Sequence, residues 1–331
     1  MRVIVLGVTG YTGKELISLM LNHPDITEIL PVSKSQVGVP ISTIHKDIPY
    51  NHPKFAPTRY QTISLEEAHT YTSSTVFSCL PHRSSHTTCH EFLDHARIID
   101  LSADYRLTPK TYEAVYSTSP PLINADLRVA YGLCELYREE IRTADVVAVP
   151  GCFAGTVLSV LLPLQRNSLL PKSVSCVAMT GISGAGKQAN NTFSFCERNE
   201  NITAYTPLHT HRHVFEIEEK LDNAVSVSFT PVLTPVQRGI YAILSMNVGN
   251  PEELIQALSE YYADAPFVVV DPKHIPSLSD VLYTNTYRIG TCSENNTLQC
   301  FACSDNLRKG ASGQALQCFN IMYSLQEQRG L

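Results

Sequence analysis

The sequence predicts an α/β protein whose N-terminal part is a doubly wound parallel sheet. Three observations predict it. A strand, a glycine-rich turn, a helix and a second strand follow one another at the start of the chain, and further apolar strands then alternate with a helical stretch. The third is size: 331 residues with 44% hydrophobic and 17% charged content can bury a full core, and this length suggests two domains rather than one.

Residues 2–6, "RVIVL", form a continuous apolar run of strand length. "GVTGYTG" follows, and then "KELISLMLNH", where Leu16, Ile17, Leu19, Met20 and Leu21 suit a helix packed on a sheet; "ITEILPVSK" is the second strand. The glycines fall where a dinucleotide-binding turn needs them. Gly7 allows the tight turn, Gly10 lets backbone approach a pyrophosphate, and Gly13 lets helix and strand pack closely, so that Thr9, Tyr11 and Thr12 between them join the candidate cofactor site. The spacing is G-x-x-G-x-x-G rather than G-x-G-x-x-G, and an ordinary strand-to-helix turn is the alternative reading of this stretch alone. "STVFSCL" at 74–80 and "RIIDLSA" at 97–103 are further strands, with the helical "HTTCHEFLDHA" between them. Their loops, "PHRSS" and "DYR", lie at the carboxyl ends of parallel strands, where such sheets bind ligands; Arg106 is therefore a substrate-binding candidate.

The end of the second strand bears on the choice of dinucleotide. An NAD enzyme usually carries Asp or Glu there to hold both ribose hydroxyls. This chain carries Ser33, Lys34 and Ser35, a cation between two hydroxyls, which favours the 2′-phosphate of NADP. A solvent-facing lysine in a polar loop is the plainer alternative.

A net charge of −6 without a Lys/Arg-rich block gives no footprint for nucleic acid or an anionic membrane, so the expected partner is a small molecule. No signal-peptide pattern opens the chain and no apolar run reaches the ~20 residues of a membrane span. The expectation is a cytoplasmic protein with reduced cysteines, in which the sequons at Asn190, Asn201 and Asn295 carry no meaning.

Two patterns imitate metal sites. His82, His86 and His90 recur every four residues beside Cys89, but His82 follows Pro81 and precedes the helix. "CFAC" at 300–303 lies in a strand, where alternation points Cys300 and Cys303 to opposite faces. No metal is expected.

The stretch "AVPGCFAGTV" at 148–157 places one of ten cysteines, Cys152, on a Pro-Gly corner ahead of "FAGTVLSVLLPL", which reads as helix up to Pro163. A helix N-terminus favours thiolate, the nucleophilic form. A nucleophile needs a proton handler, and "LHTHRHVFEIEE" supplies His209, His211 and His213 on alternate positions; spacing alone equally fits a polar surface strand. "MTGISGAGKQANN" is loose enough to present backbone N–H groups to an anion. "FTPVLTPVQRGIYAIL" adds two proline-marked segments, Arg238 and a long strand alternation. "SDNLRKGASGQALQCFNIMYSLQ" begins as a loop and becomes a helix, about Ala311 to Gln326, with an apolar stripe of Leu316, Phe319, Ile321, Met322 and Leu325.

In "GVTGYTGKEL", "DLSADYRL", "PGC", "GISGAGK", "HRHVFEIEE", "FTPVLTPVQRGI" and "DNLRKGASGQALQ", taken in order over nearly the whole length, the chain resembles the N-acetyl-γ-glutamyl-phosphate reductase family, which is related to aspartate-semialdehyde dehydrogenase. The resemblance implies a Rossmann-type NADP-binding domain of residues 1–150 and 305–331. Residues 151–304 would then be an α+β catalytic and dimerisation domain with a mostly antiparallel sheet. It implies Cys152 as nucleophile and His211 as acid–base residue. His213 and Ser183 fall at positions used around substrate; Ser183, Gly184 and Asn306 fall near the cofactor. It further implies a homo-oligomer, dimer or tetramer, reducing N-acetyl-γ-glutamyl phosphate with NADPH through a cysteine thioester. Aspartyl phosphate, carrier-linked aminoadipyl phosphate, and a non-catalytic NADP-binding role are the alternatives. The chain departs from the family pattern at Ala154 and Gly155 after Phe153, at Arg83 where glycine is common, and at Phe215 where proline is usual.

Overall fold

The structure is a computed structural model and describes residues 1–121, 123, 126–187 and 194–331; the sequon at Asn190 and the end of the "GISGAGKQANN" stretch lie outside them. Two compact units form, Met1–Pro150 with Ala311–Leu331, and Gly151–Gly310.

The first unit is built on a six-stranded sheet of β1 (Arg2–Leu6), β2 (Glu28–Val32), β3 (Thr75–Ser78), β4 (Arg97–Asp100), β5 (Val129–Tyr131) and β6 (Val146–Ala148). Their order is β2-β1-β3-β4-β6-β5, and every pairing is parallel. Strands covered on both faces must be apolar throughout, which is why "RVIVL" and "RIID" read as runs rather than alternations. Its α-helices longer than one turn are α1 (Tyr11–Asn22), α2 (Ser85–His90), α3 (Pro109–Tyr116), α4 (Arg138–Thr143) and, after the second unit, α8 (Gly313–Met322). On one face, Leu16, Ile17 and Met20 pack with Leu316, Phe319 and Met322 around Val3, Val5 and Phe77. On the other, Ile4, Leu6, Val76 and Ile98 pack with Phe92 and Tyr105. The direction of winding reverses between β1 and β3, and such a switch point opens a ligand crevice at the carboxyl edge.

The second unit holds a seven-stranded sheet in the order β11-β12-β13-β10-β7-β9-β8. The strands are β7 (Ser173–Thr180), β8 (Thr203–Ala204), β9 (Ser226–Leu233), β10 (Ile240–Asn247), β11 (Val268–Asp271), β12 (Tyr287–Glu294) and β13 (Thr297–Ser304). β7–β9 and β11–β12 are parallel and the other pairings antiparallel. Burial alternates along β7, β9 and β10, so one face is core, covered by α5 (Cys152–Arg166). The unit also holds the helices α6 (Arg212–Lys220) and α7 (Pro251–Tyr261) and a single helical turn, Phe195–Arg198.

Four expectations are corrected. Residues 305–310 belong to the second unit, because Asp305 binds there: its carboxylate accepts from Arg238 (3.0 Å) and from the Tyr283 N–H (2.7 Å). The last helix is shorter than Ala311–Gln326, since residues 308–312 form a wider π-type turn before α8 begins. The helical stretch after "PHRSS" ends at His90 rather than Ala96. Finally, α5 runs past Pro163 to Arg166. Proline cannot donate to the carbonyl four residues back, and here the Tyr262 hydroxyl donates to Ser159 O instead, at 2.7 Å.

Candidate active site

Cys152 is the first residue of a 15-residue helix, and Gly151 caps it in an extended conformation (φ −61°, ψ 142°). Its thiol is half-buried at the positive end of the α5 dipole. Other cysteines have the opposite setting: desolvation pushes the Cys176 and Cys300 thiols up to about 12. Gly151 is required by its neighbours. A Cβ there would stand 2.6 Å from His213 Nε2 and 2.9 Å from Glu216 Oε2, and its N–H donates to Glu216 Oε1 at 2.8 Å. Gly310 is also tightly packed, since a Cβ on it would meet Cys152 Cβ at 3.0 Å.

His211 is the N-cap of α6, and its Nδ1 accepts the His213 backbone N–H at 3.2 Å. In the neutral ring the proton therefore sits on Nε2. Burial, then the charge of Arg212, lowers its pKa to about 4. The ring is thus a neutral donor at pH 7. Phe153 sets both histidines edge-to-face, with centroids 5.7 Å from His211 and 5.9 Å from His213. The departure after Phe153 leaves this packing in place, because Ala154 and Gly155 are interior to α5. Phe215, another of the departures, packs on His209 at 5.6 Å, and His209 pairs with Glu218.

Cys152, His211 and His213 line one cavity of about 460 Å³ with Tyr205, Arg198 and Arg212. No Asp or Glu is among the cavity's described lining residues, so the cavity suits an anionic ligand. Tyr205 meets His211 edge-to-face (5.7 Å) and its hydroxyl is held protonated by burial, then by the charge of Cys152. Gly184 lines the same cavity. Beside it Asn306 donates to Ser183 Oγ (3.0 Å) and accepts from the Gly239 N–H (2.7 Å). The expected Ser183, Gly184 and Asn306 are thus one cluster.

In the first unit the three glycines of the turn have different surroundings. A Cβ on Gly7 (φ +76°) would stand 2.7 Å from Cys79 O, and one on Gly13 2.7 Å from Val8 Cα. At Gly10 nothing comes nearer than 3.9 Å, so the backbone at the head of α1 stays approachable, as a pyrophosphate requires. Thr9 and Tyr11 flank Gly10, and Thr12 O accepts from Ser312 Oγ. Gly7 N donates to Val32 O, which brings the turn beside Ser33 and the exposed Lys34. The residues present fit a dinucleotide. Arg106 is buried, and its guanidinium donates to Val149 O (2.7 Å) and Leu101 O (2.8 Å).

The histidines and cysteines of the two metal-like patterns have separate settings. His82 accepts from the Ala103 N–H, His86 pairs with Asp104, and His90 is exposed. Cys300 and Cys303 lie three apart on β13, and among the described residues no His/Cys/Asp/Glu group is placed to hold a metal. Sequence reasoning missed Glu216, Tyr205 and Arg198. Glu216 had a signal, since it lies three residues after His213 on one helix; the other two are brought in by tertiary folding.

A family model described as "Semialdehyde dehydrogenase, NAD binding domain" matches residues 2–144, and "Semialdehyde dehydrogenase, dimerisation domain" matches 152–306. N-acetyl-gamma-glutamyl-phosphate reductase of Akkermansia muciniphila is 36% identical, over 100% of this chain and 98% of that one. The chain belongs to that family. The enzyme of the same name from Methanocaldococcus jannaschii is 35% identical over 100% and 97%. Among solved structures, aspartate semialdehyde dehydrogenase II of Vibrio cholerae complexed with ASA superposes with a TM-score of 0.73 at 14% identity, covering 98% of each chain. The Candida albicans aspartate semialdehyde dehydrogenase with NADP gives 0.71 at 16%, over 97% and 98%. These two establish the shared fold. Among the described residues no helix is long and apolar enough to cross a membrane.

Proposed function

We propose that the chain reduces N-acetyl-γ-glutamyl phosphate to N-acetylglutamate semialdehyde and phosphate, using NADPH. The observation that supports it most is the cavity that joins Cys152, at a helix N-terminus, to a neutral histidine and two guanidiniums, with no carboxylate among its described lining residues. That is an environment for a nucleophile acting on an anionic acyl compound.

Cys152 attacks the acyl carbon, its S–C bond forms as the C–O bond to phosphate breaks, and a thioester remains on sulfur. Gly7, Gly10, Gly13, Ser33 and Lys34 would hold the dinucleotide, which when bound would supply the hydride needed to reduce a thioester. His211, with its proton on Nε2, donates a hydrogen bond to the developing oxyanion and steadies it until the C–S bond breaks, releasing aldehyde and returning thiolate. His213 and Glu216 fix the corner that carries Cys152. A second copy of the chain covers the open face of the second sheet, where Val177 is 38% exposed, giving a dimer or tetramer that works in the cytoplasm.

The experiment is phosphate-dependent reduction of NADP with a panel of aldehydes. N-acetylglutamate semialdehyde should be oxidised at least about a hundredfold more efficiently than aspartate semialdehyde, a difference of ~2.7 kcal/mol in transition-state binding. Equal use of both, or oxidation independent of phosphate, contradicts the proposal.

A further inference from the structure

Arg198 ends the single helical turn Phe195–Arg198 and is only 8% exposed in the cavity beside Cys152. Its Nη1 donates to the Thr203 hydroxyl at 3.3 Å, a neutral acceptor. Its Nε is buried and has no hydrogen-bond partner among the described residues. A guanidinium stays charged at any physiological pH, and a buried cation that meets no anion is costly to keep. Nη1 is engaged by Thr203 and Nε has no partner among the described residues, and a guanidinium can offer two parallel N–H groups to the two oxygens of a carboxylate.

We propose that Arg198 receives the α-carboxylate of the acyl substrate and so selects acyl groups that carry a carboxylate at their far end. This rests on the reading of the cavity as the acyl site. The contact holds the chain away from its reacting carbon, so its energy goes into positioning that carbon at Cys152 rather than into the chemical step. Arg212, by contrast, is exposed. An exposed cation attracts anions without fixing their orientation.

The test follows alkylation of Cys152 by iodoacetamide in the whole protein, with N-acetyl-L-glutamine as a probe bearing the α-carboxylate and its α-amide as the probe without it. The acid should protect wild-type protein at least about tenfold more potently than the amide. Arg198→Leu should remove that advantage, and Arg198→Lys, a point charge without the fork, should keep part of it. Equal protection of wild type by acid and amide, no protection by the acid, or undiminished protection in Arg198→Leu would each overturn the proposal, and the first two need no variant to fold. Protection that follows Arg198 in a protein unable to oxidise N-acetylglutamate semialdehyde would uphold this carboxylate site while removing the reaction assigned above.

Discussion

The Nε2 of His213 lies 2.6 Å from where a Cβ on Gly151 would stand, so the residue before the candidate nucleophile has no room for a side chain. Gly151→Ala must displace the His213 ring or Glu216, both buried. Its activity should fall about tenfold or more through misplacement of Cys152, with a stability loss of about 1–3 kcal/mol from overpacking. Turnover and a denaturant midpoint on the same preparation check both. Wild-type turnover would show that the corner tolerates a methyl group.

His211 makes a pH prediction of definite sign. Its folded pKa of about 4 lies below the ordinary 6.5, so between those values the unfolded chain binds the extra proton. The stabilisation is fully present above pH 6.5 and is lost as pH falls towards 4, amounting to at most about 3 kcal/mol. His211→Asn keeps a capping acceptor at the head of α6. It should flatten this part of the stability–pH curve, read from urea midpoints between pH 4 and 7, and a slope equal to wild type would contradict the assignment.

Much of the first unit could be read from sequence, because its signals are local. Gly7, Gly10 and Gly13 each answer a constraint set within a few residues or one neighbouring strand, and the stripe from Leu316 to Met322 had to be buried. Cys152 was legible from its Pro-Gly corner. Arg198 and Tyr205 were not, since loops carry them to the cavity and no periodicity marks them. The end of α5 was misread for the same reason: the partner that lets the helix continue past Pro163 is Tyr262, far along the chain. The boundary at 305 missed because Asp305 binds Arg238 and Tyr283, contacts that sequence spacing does not reveal.

The Tyr262–Ser159 bond can be isolated. Tyr262→Phe should cost about 1–2 kcal/mol by leaving the buried Ser159 carbonyl without its donor. In a Pro163→Ala background the new backbone N–H can serve that carbonyl, so the same change should cost markedly less. Equal costs in the two backgrounds, measured as a double-mutant cycle by urea denaturation, would refute the compensation.

Lys34 should read the cofactor phosphate. It is exposed beside the glycine turn and follows the buried Ser33. Lys34→Glu should shift the ratio of kcat/KM for NADPH over NADH about tenfold or more towards NADH, ~1.4 kcal/mol. Dissociation constants for the two dinucleotides should move in the same sense. An unchanged ratio would assign the lysine to solvent.

The central claim is that the acyl group passes through the sulfur of Cys152, and the most direct measurement is the mass of the intact protein and of its Cys152 peptide. The protein is mixed with N-acetylglutamate semialdehyde and NADP in the absence of phosphate. The account predicts a burst of about one NADPH per chain with an N-acetylglutamyl thioester confined to Cys152, discharged on adding phosphate and absent in Cys152→Ser. Steady turnover by Cys152→Ser, or a wild-type burst that leaves Cys152 unmodified, would contradict it.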